Sequence, residues 1–201
     1  MTGRQKAGLV AAVGGLALAG VVLVVRSQAA AATVGVVRLG AMRLTSQCQT
    51  LPAAVPLGAH LELSVPLSNG SSQPATLAME AVLVDTNNQN IAGLWYATTH
   101  PSSGSPSQDD PAWYTFLADI PPQARASVPT GSAYPCGEFG TVFEGYYAHP
   151  LQTVLYAAAV PSDYTGPVVT GKVIGAPLSA LTPAPDLTVV EVTGPSLKLQ
   201  S

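Results

Sequence analysis

Charge is what this chain has least of. Of 201 residues only 9% are Asp, Glu, Lys or Arg, against about 25% in ordinary soluble domains. With 8 basic and 11 acidic residues the net charge is −3, so no basic field exists to hold a phosphate backbone, and nucleic acid is not an expected partner. Histidine is nearly as scarce. His60, His100 and His149 lie far apart without metal-ligand spacing, and the last two each precede a proline, where a turn accounts for them. There is no nucleophile elbow, P-loop, dinucleotide fingerprint or zincin motif. Asp109-Asp110, in a Ser/Pro-rich stretch, reads as a solvated pair. Asp85, Asn87 and Asn90 read as a turn, because the glycine and distant glutamate of an EF-hand loop are missing. The expectation is a protein without catalysis, cofactor or metal.

Only two cysteines occur, Cys48 and Cys136. In an oxidising compartment they are a candidate disulfide closing a loop of roughly 89 residues. Such a bridge adds about 4–5 kcal/mol on the loop-entropy model. Two buried thiols are the alternative. Glycine (19) and proline (18) together stay below the share that marks low-complexity disorder.

What is present is one long apolar run at 7–25, AGLVAAVGGLALAGVVLVV, with Arg4 and Lys6 before it and Arg26 after it. As a helix rising about 1.5 Å per residue it is roughly 28 Å long, close to a bilayer's hydrocarbon thickness. Residues 7–26 are therefore read as a transmembrane anchor with membrane lipid as a partner, behind a tail of 1–6 and before a stalk of 27–33. The alanines at 29–32 also fit a cleavage site, so secretion after signal removal is the alternative; the run, however, exceeds the ~7–15 residues of a signal's apolar region. Ala7, Ala11, Gly15 and Ala19 recur every four residues and form a small-residue face against which a second helix packs. General abundance of Ala and Gly is the plainer account of that spacing. Basic residues flank both ends, so the positive-inside rule votes weakly. So short a tail is a poor candidate for translocation, which puts the remainder on the outer side, extracytoplasmic or capsid-facing.

Everything after the stalk reads as short strands and turns. The clearest pattern is at 60–67, where Leu61, Leu63, Val65 and Leu67 alternate with His60, Glu62, Ser64 and Pro66, the period of a half-buried strand. Asn69-Gly70 follows, a two-residue hairpin signal, and 76–85 alternates again with Leu77, Met79, Ala81 and Leu83 on one side. The two are expected to pair. Further strands are expected at 34–44, 91–98, 113–119, 123–128, 138–148, 152–160, 168–174 and 187–192, with 100–111 an exposed loop. About nine strands at short spacing predict one mainly β domain over 34–192, an antiparallel sandwich or barrel, followed by a C-terminal tail of 193–201.

Tyr134-Pro135-Cys136 resembles the Tyr-x-Cys spacing of the tyrosine corner in immunoglobulin-like domains. The resemblance implies an immunoglobulin-like β-sandwich, with a jelly roll as the alternative. It spans three residues; the cysteine separation is longer than that family uses, and the first tryptophan after Cys48 is Trp95.

Aromatics cluster around the long loop. Trp95, Tyr96, Trp113 and Tyr114 flank it and form the candidate contact surface, since Trp and Tyr serve where an apolar body must also reach a polar partner. A surface with so few charges is suited to being covered by neighbours. The expected function is a non-catalytic, membrane-anchored structural or assembly protein. Its exported sandwich contacts other protein subunits, copies of itself among them, in a cell envelope or a membrane-containing phage virion. A tethered or secreted ligand-binding or adhesion module using the aromatic loops is the alternative.

Overall fold

The computed structural model describes residues 25–27, 32–46, 49–50, 55–56, 60–97, 115–120, 122–123, 125–128, 139–142, 150–171 and 174–200. In chain order the strands are β1 (Val25–Ser27), β2 (Ala32–Val34), β3 (Val37–Leu39), β4 (Arg43–Ser46), β5 (Gln49–Thr50), β6 (Val55–Pro56), β7 (His60–Asn69), β8 (Ala75–Asp85) and β9 (Ile91–Ala97). They continue with β10 (Phe116–Ile120), β11 (Arg125–Val128), β12 (Phe139–Val142), β13 (Leu151–Val160), β14 (Val169–Thr170), β15 (Thr182–Pro183), β16 (Val190–Leu197) and β17 (Leu199–Gln200). The only helical element among the described residues is one 3-10 turn, Leu178–Ala180. The chain is mainly β, its sheets are antiparallel in all but two short pairings, and its layers are those of a β-sandwich.

Two long strands act as spines. One edge of β8 pairs with β13 over its whole inward run, from Thr76↔Val160 to Asp85↔Leu151. Its other edge is shared, β10 taking Ala75 to Met79 and β9 taking Ala81 to Val84. β13 pairs in turn with β16. β7 divides its edges the same way, β11 and β12 on one side and β3 and β4 on the other. The alternation of β7 has its expected consequence: Leu61, Leu63, Val65 and Leu67 are all buried. They meet Leu77, Met79 and Leu83 of β8, together with Leu39, Trp95, Leu151 and Leu155. Each such side chain contributes about 1.5–3 kcal/mol of burial.

The β7–β8 hairpin expected at Asn69-Gly70 does not form. The two strands lie in opposite sheets, and residues 70–74 carry the chain across the core. Asn69 explains the difference. Its side chain is buried and uses all four of its hydrogen-bonding positions. Nδ2 donates to the carbonyls of Gln73 (2.8 Å) and Ile120 (3.2 Å), while Oδ1 accepts from Ser71 N (2.9 Å) and Ser71 Oγ (2.8 Å). Asparagine here builds a corner by bonding its own following backbone. Gly70, moreover, lacks the positive φ that a type I′ hairpin turn demands. The β10-to-β11 connection crosses at the same place: Gln123 donates through Nε2 to Gly70 O (2.8 Å) and through N to Ser71 O (3.1 Å).

Other boundaries also shift for physical reasons. The stretch 34–44 is broken into β2, β3 and β4, because Gly35 adopts φ 58° and opens a two-residue hairpin, and Gly40 N donates to Pro66 O at 2.7 Å. Among the described residues of 168–174 the strand is β14, ended by Gly171 at φ 83°. The last sandwich strand runs to Leu197 rather than 192. Leu197 is buried opposite Leu151, and Pro195 falls where the register with β13 shifts, between Thr193 and Ser196, an irregularity that accommodates proline in a strand. β17 then pairs with β6 within the stretch read as a tail. β12 pairs with both β7 and β9, joining the two sheets on one side.

The other side is closed by the N-terminal segment. β1 pairs in parallel with β16, Val25↔Val190 through Ser27↔Val192, and β2 pairs with β3 in the opposite sheet. Val25 and Arg26, read as the end of an anchor helix, are therefore strand. Residues 1–24 lie outside the described residues, and among the described residues no helix is long and apolar enough to cross a membrane.

If the Asn69 corner fixes the crossing, Asn69→Ala removes four bonds and leaves the buried Ile120 carbonyl unpaired, which destabilises the fold by about 2–3 kcal/mol. Urea unfolding monitored by tryptophan fluorescence checks this: the midpoint should fall with the slope unchanged.

Candidate functional site

Of the expected contact surface, the described residues include the side chain of Trp95 alone. Trp95 is 0% exposed and faces the sandwich core, so it fills space rather than presenting a surface. Its indole Nε1 has no hydrogen-bond partner among the described residues. Tyr96 is placed by its backbone in β9, opposite Gly140. Trp113, Tyr114, Cys48, Cys136, Ala7, Ala11, Gly15 and Ala19 lie outside the described residues. The stretch 85–90 is the turn expected of it: Asp85 Oδ1 accepts from Asn87 N (2.8 Å), Asn88 Oδ1 accepts from Asn90 N (3.0 Å), and Gln89 adopts φ 58°. No three His, Cys, Asp or Glu among the described residues stand together as metal ligands.

The strongest polar feature is one that strand periodicity alone passes over. On the even-numbered face of β8, between Ala78 and Val82, Glu80 is 0% exposed. Its Oε1 accepts from the Thr115 hydroxyl in a short hydrogen bond, and its Oε2 accepts from Val169 N at 3.0 Å. This face is not solvent. Val82, Val84, Leu94, Val154 and Tyr156 form a second core with Val168, Val169 and Val189, so residues 161–189 are a third layer over the first sheet. A buried carboxyl is stable only with its bonds made, and here the bond from Val169 N ties the third layer to the sheet. Tyr164, in that layer, donates to Pro167 O at 2.6 Å. Burial, and secondarily the Glu80 charge, raises its hydroxyl above the ordinary tyrosine value of 10.0. The clue in the sequence is a lone acid flanked by apolar residues on both sides within 76–84.

Among the described residues, two concave regions bear on the question of a site. An apolar cleft of about 600 Å³ opens where β8 and β10 meet the end of β13, with Pro74, Ala75, Ile120, Pro122, Val160 and Pro161 in its walls. In its lining the Thr76 hydroxyl donates to Asp119 Oδ1 at 2.6 Å. The β2–β3 hairpin tip abuts this end of the sandwich: a Cβ at Gly35 would lie 3.1 Å from Ala159 Cβ, and the next residue, Val36, is 54% exposed. A second groove, of about 440 Å³ and of mixed polarity, lies between the 86–89 turn and the 177–179 segment.

Comparison with known proteins leaves the chain without a family: no protein-family model matches it, and no curated protein matches it by sequence. The reading of function rests on the residues above.

The Glu80 bonds predict a graded response. Glu80→Ala strands the buried Val169 N–H and should destabilise by about 2–3 kcal/mol, whereas Glu80→Gln, which keeps one carbonyl acceptor, should lose less. Limited proteolysis adds a local readout. Cleavage within 161–189 should accelerate in Glu80→Ala at urea concentrations where the remaining core stays folded.

Proposed function

We propose that this is a non-catalytic, membrane-anchored assembly protein: an apolar segment within 7–26 is held in lipid, and the β-sandwich on the outer side contacts other protein subunits of an envelope or a membrane-containing virion. One observation carries the reading. Val25, the last residue of the apolar run, opens a strand of the sandwich, Val25–Ser27, paired with β16. A chain cut within the alanines at 29–32 would lose that strand and leave Val190 to Val192 as an open edge, a liability folded proteins avoid. The residues 7–24 that remain before β1 still reach about 27 Å as a helix, enough to cross the hydrocarbon with little tilt.

The same geometry supports a short, stiff connection. With β1 on one sheet and β2 on the other, only residues 28–31 lie between them, so the domain would be held close to the lipid and pulled on through both sheets at once. The contact surface we favour is the apolar cleft at Pro74, Ile120 and Val160 with the exposed Val36 beside it. Exposed apolar patches of this kind mark interaction sites. The low charge of the chain suits dense packing there.

Intact mass of the native protein, combined with membrane fractionation, tests this. The expected result is a full-length chain in the membrane fraction, resistant to salt and released by detergent. A soluble chain shortened by about 30 residues would contradict the reading and favour a secreted module.

A further inference from the structure

The two sheets are finished differently on their outer sides. The first is covered by the 161–189 layer. The second presents an open face, on which Ser64, Pro66 and Ser68 of β7 are half-buried and Thr33, Arg38 and Arg43 are exposed. Register gathers cations there, because partners across a ladder share a face of the sheet. Arg38 of β3 stands opposite Ser68, and the backbone of Arg125 in β11 is opposite the same serine from the other edge. Arg43 of β4 stands opposite Ser64. Neighbouring strands lie about 4.8 Å apart, so the backbones of Arg38 and Arg125 are about 10 Å apart in one row. Arg43 falls roughly 13 Å further along β7.

Charge is segregated across the sandwich. Among the described residues, Glu62 is the one acid in the second sheet, opposite Thr45. The other described acids, Glu80, Asp85, Asp119, Asp163, Asp186 and Glu191, belong to the first sheet or its cover, with Arg26 in β1 and Lys198 beyond β16 as the cations on that side. The net charge of −3 therefore averages over a basic face and a more acidic one.

Position selects the partner of the basic face. β1 runs parallel to β16, from Val25↔Val190 to Ser27↔Val192, and β16 runs antiparallel to β13, with Val190↔Ala157 and Val192↔Leu155. The chain before Val25 is thus directed toward the Val160 end of β13. The β2–β3 tip is at that end, with Gly35 against Ala159. Ser68 is there too, one residue from Asn69, whose side chain bonds Ile120. The Arg38–Arg125 row accordingly marks the end of the sandwich from which the apolar run departs. A guanidinium matches a phosphate with two parallel bonds, which a lipid headgroup at this end would supply.

We propose that the outward face of the second sheet, led by Arg38, seats on the anionic phosphate headgroups of the bilayer that holds the anchor. Arg43 reaches the same surface when the face lies along the lipid. The proposal rests on the anchored reading of the apolar run, and it fixes the orientation of the domain. The second sheet is turned to lipid, and the apolar cleft, walled by strands of the first sheet, is left open to protein.

The test places the full chain in nanodiscs of phosphatidylcholine, or of an equal mixture with phosphatidylglycerol, each with a trace of lipid carrying a paramagnetic headgroup. Line broadening of backbone amides is the readout. In anionic discs it should be strong at residues 33, 38, 43, 64 and 68, weak at 178–186 in the covering layer, and reduced on the basic face in neutral discs. Arg38→Gln and Arg43→Gln, both at exposed positions, should each move the balance between seated and free domain ~5-fold toward free. The double variant should match the neutral-disc pattern. Equal broadening in neutral discs or an unaltered pattern in the double variant would overturn the inference and leave the anchor standing. So would contacts at this face that follow the number of chains per disc rather than lipid charge, which would assign it to a second copy. A chain that fails to enter the discs would overturn the anchored reading and this inference with it.

Discussion

The rest of this structure depends on one constraint: β8 has no solvent face. Every residue from Thr76 to Asp85 is buried. Its odd-numbered side chains meet β7 across the sandwich core, and its even-numbered ones meet the 161–189 layer. An antiparallel strand usually keeps one face polar. Here the second face is apolar from Ala78 to Val84 except at Glu80, which accepts one bond from Thr115, beside β10 of the same sheet, and one from Val169 N of the covering layer. Take the layer away and Val82, Val84 and Val154 would be exposed together with a carboxyl that had lost its Val169 donor.

The closure of the sandwich follows from what the two spines leave open. β7 and β8 each share both edges or one edge among shorter strands, and β12 pairs across to join the two sheets on one side. The opposite side is closed by the chain's first described residues, β1 on β16 and β2 on β3. The segment that follows the apolar run thus belongs to the domain's own edge, and the anchored reading draws its support from that junction. The two grooves differ in chemistry, one with largely apolar walls, the other of mixed polarity with its 174–178 wall braced on the 89–91 backbone.

Much of the β character was legible from periodicity alone. β7, β9 and β13 fall where alternation and apolar density put them, and the 85–90 turn forms through the Asx bonds that DTNNQN suggests. Pairing was less legible. Asn69-Gly70 has the composition of a hairpin turn, yet the asparagine's bonds to Ile120 and Gln73, one of them 51 residues away in sequence, make it a corner. Local sequence cannot encode a partner that distant. The second burial of β8 was hidden for a related reason: residues 161–189, rich in Pro and short of alternation, cover a sheet without resembling one. Trp95 shows the limit of composition for sites. An aromatic beside a loop reads as an interface residue, but strand parity turns it inward. Both grooves are assembled from turns and strand ends brought together by topology, so no single stretch announces them.

Native-state hydrogen exchange across β8 tests the central claim most directly. If β8 is the doubly buried spine, amides from Leu77 to Leu83 and their β13 partners should be the slowest in the domain. They should exchange only through global unfolding, with a denaturant slope equal to that of the whole transition. Exchange of these amides by local opening, at a free energy well below global stability while β7 stays protected, would contradict the account.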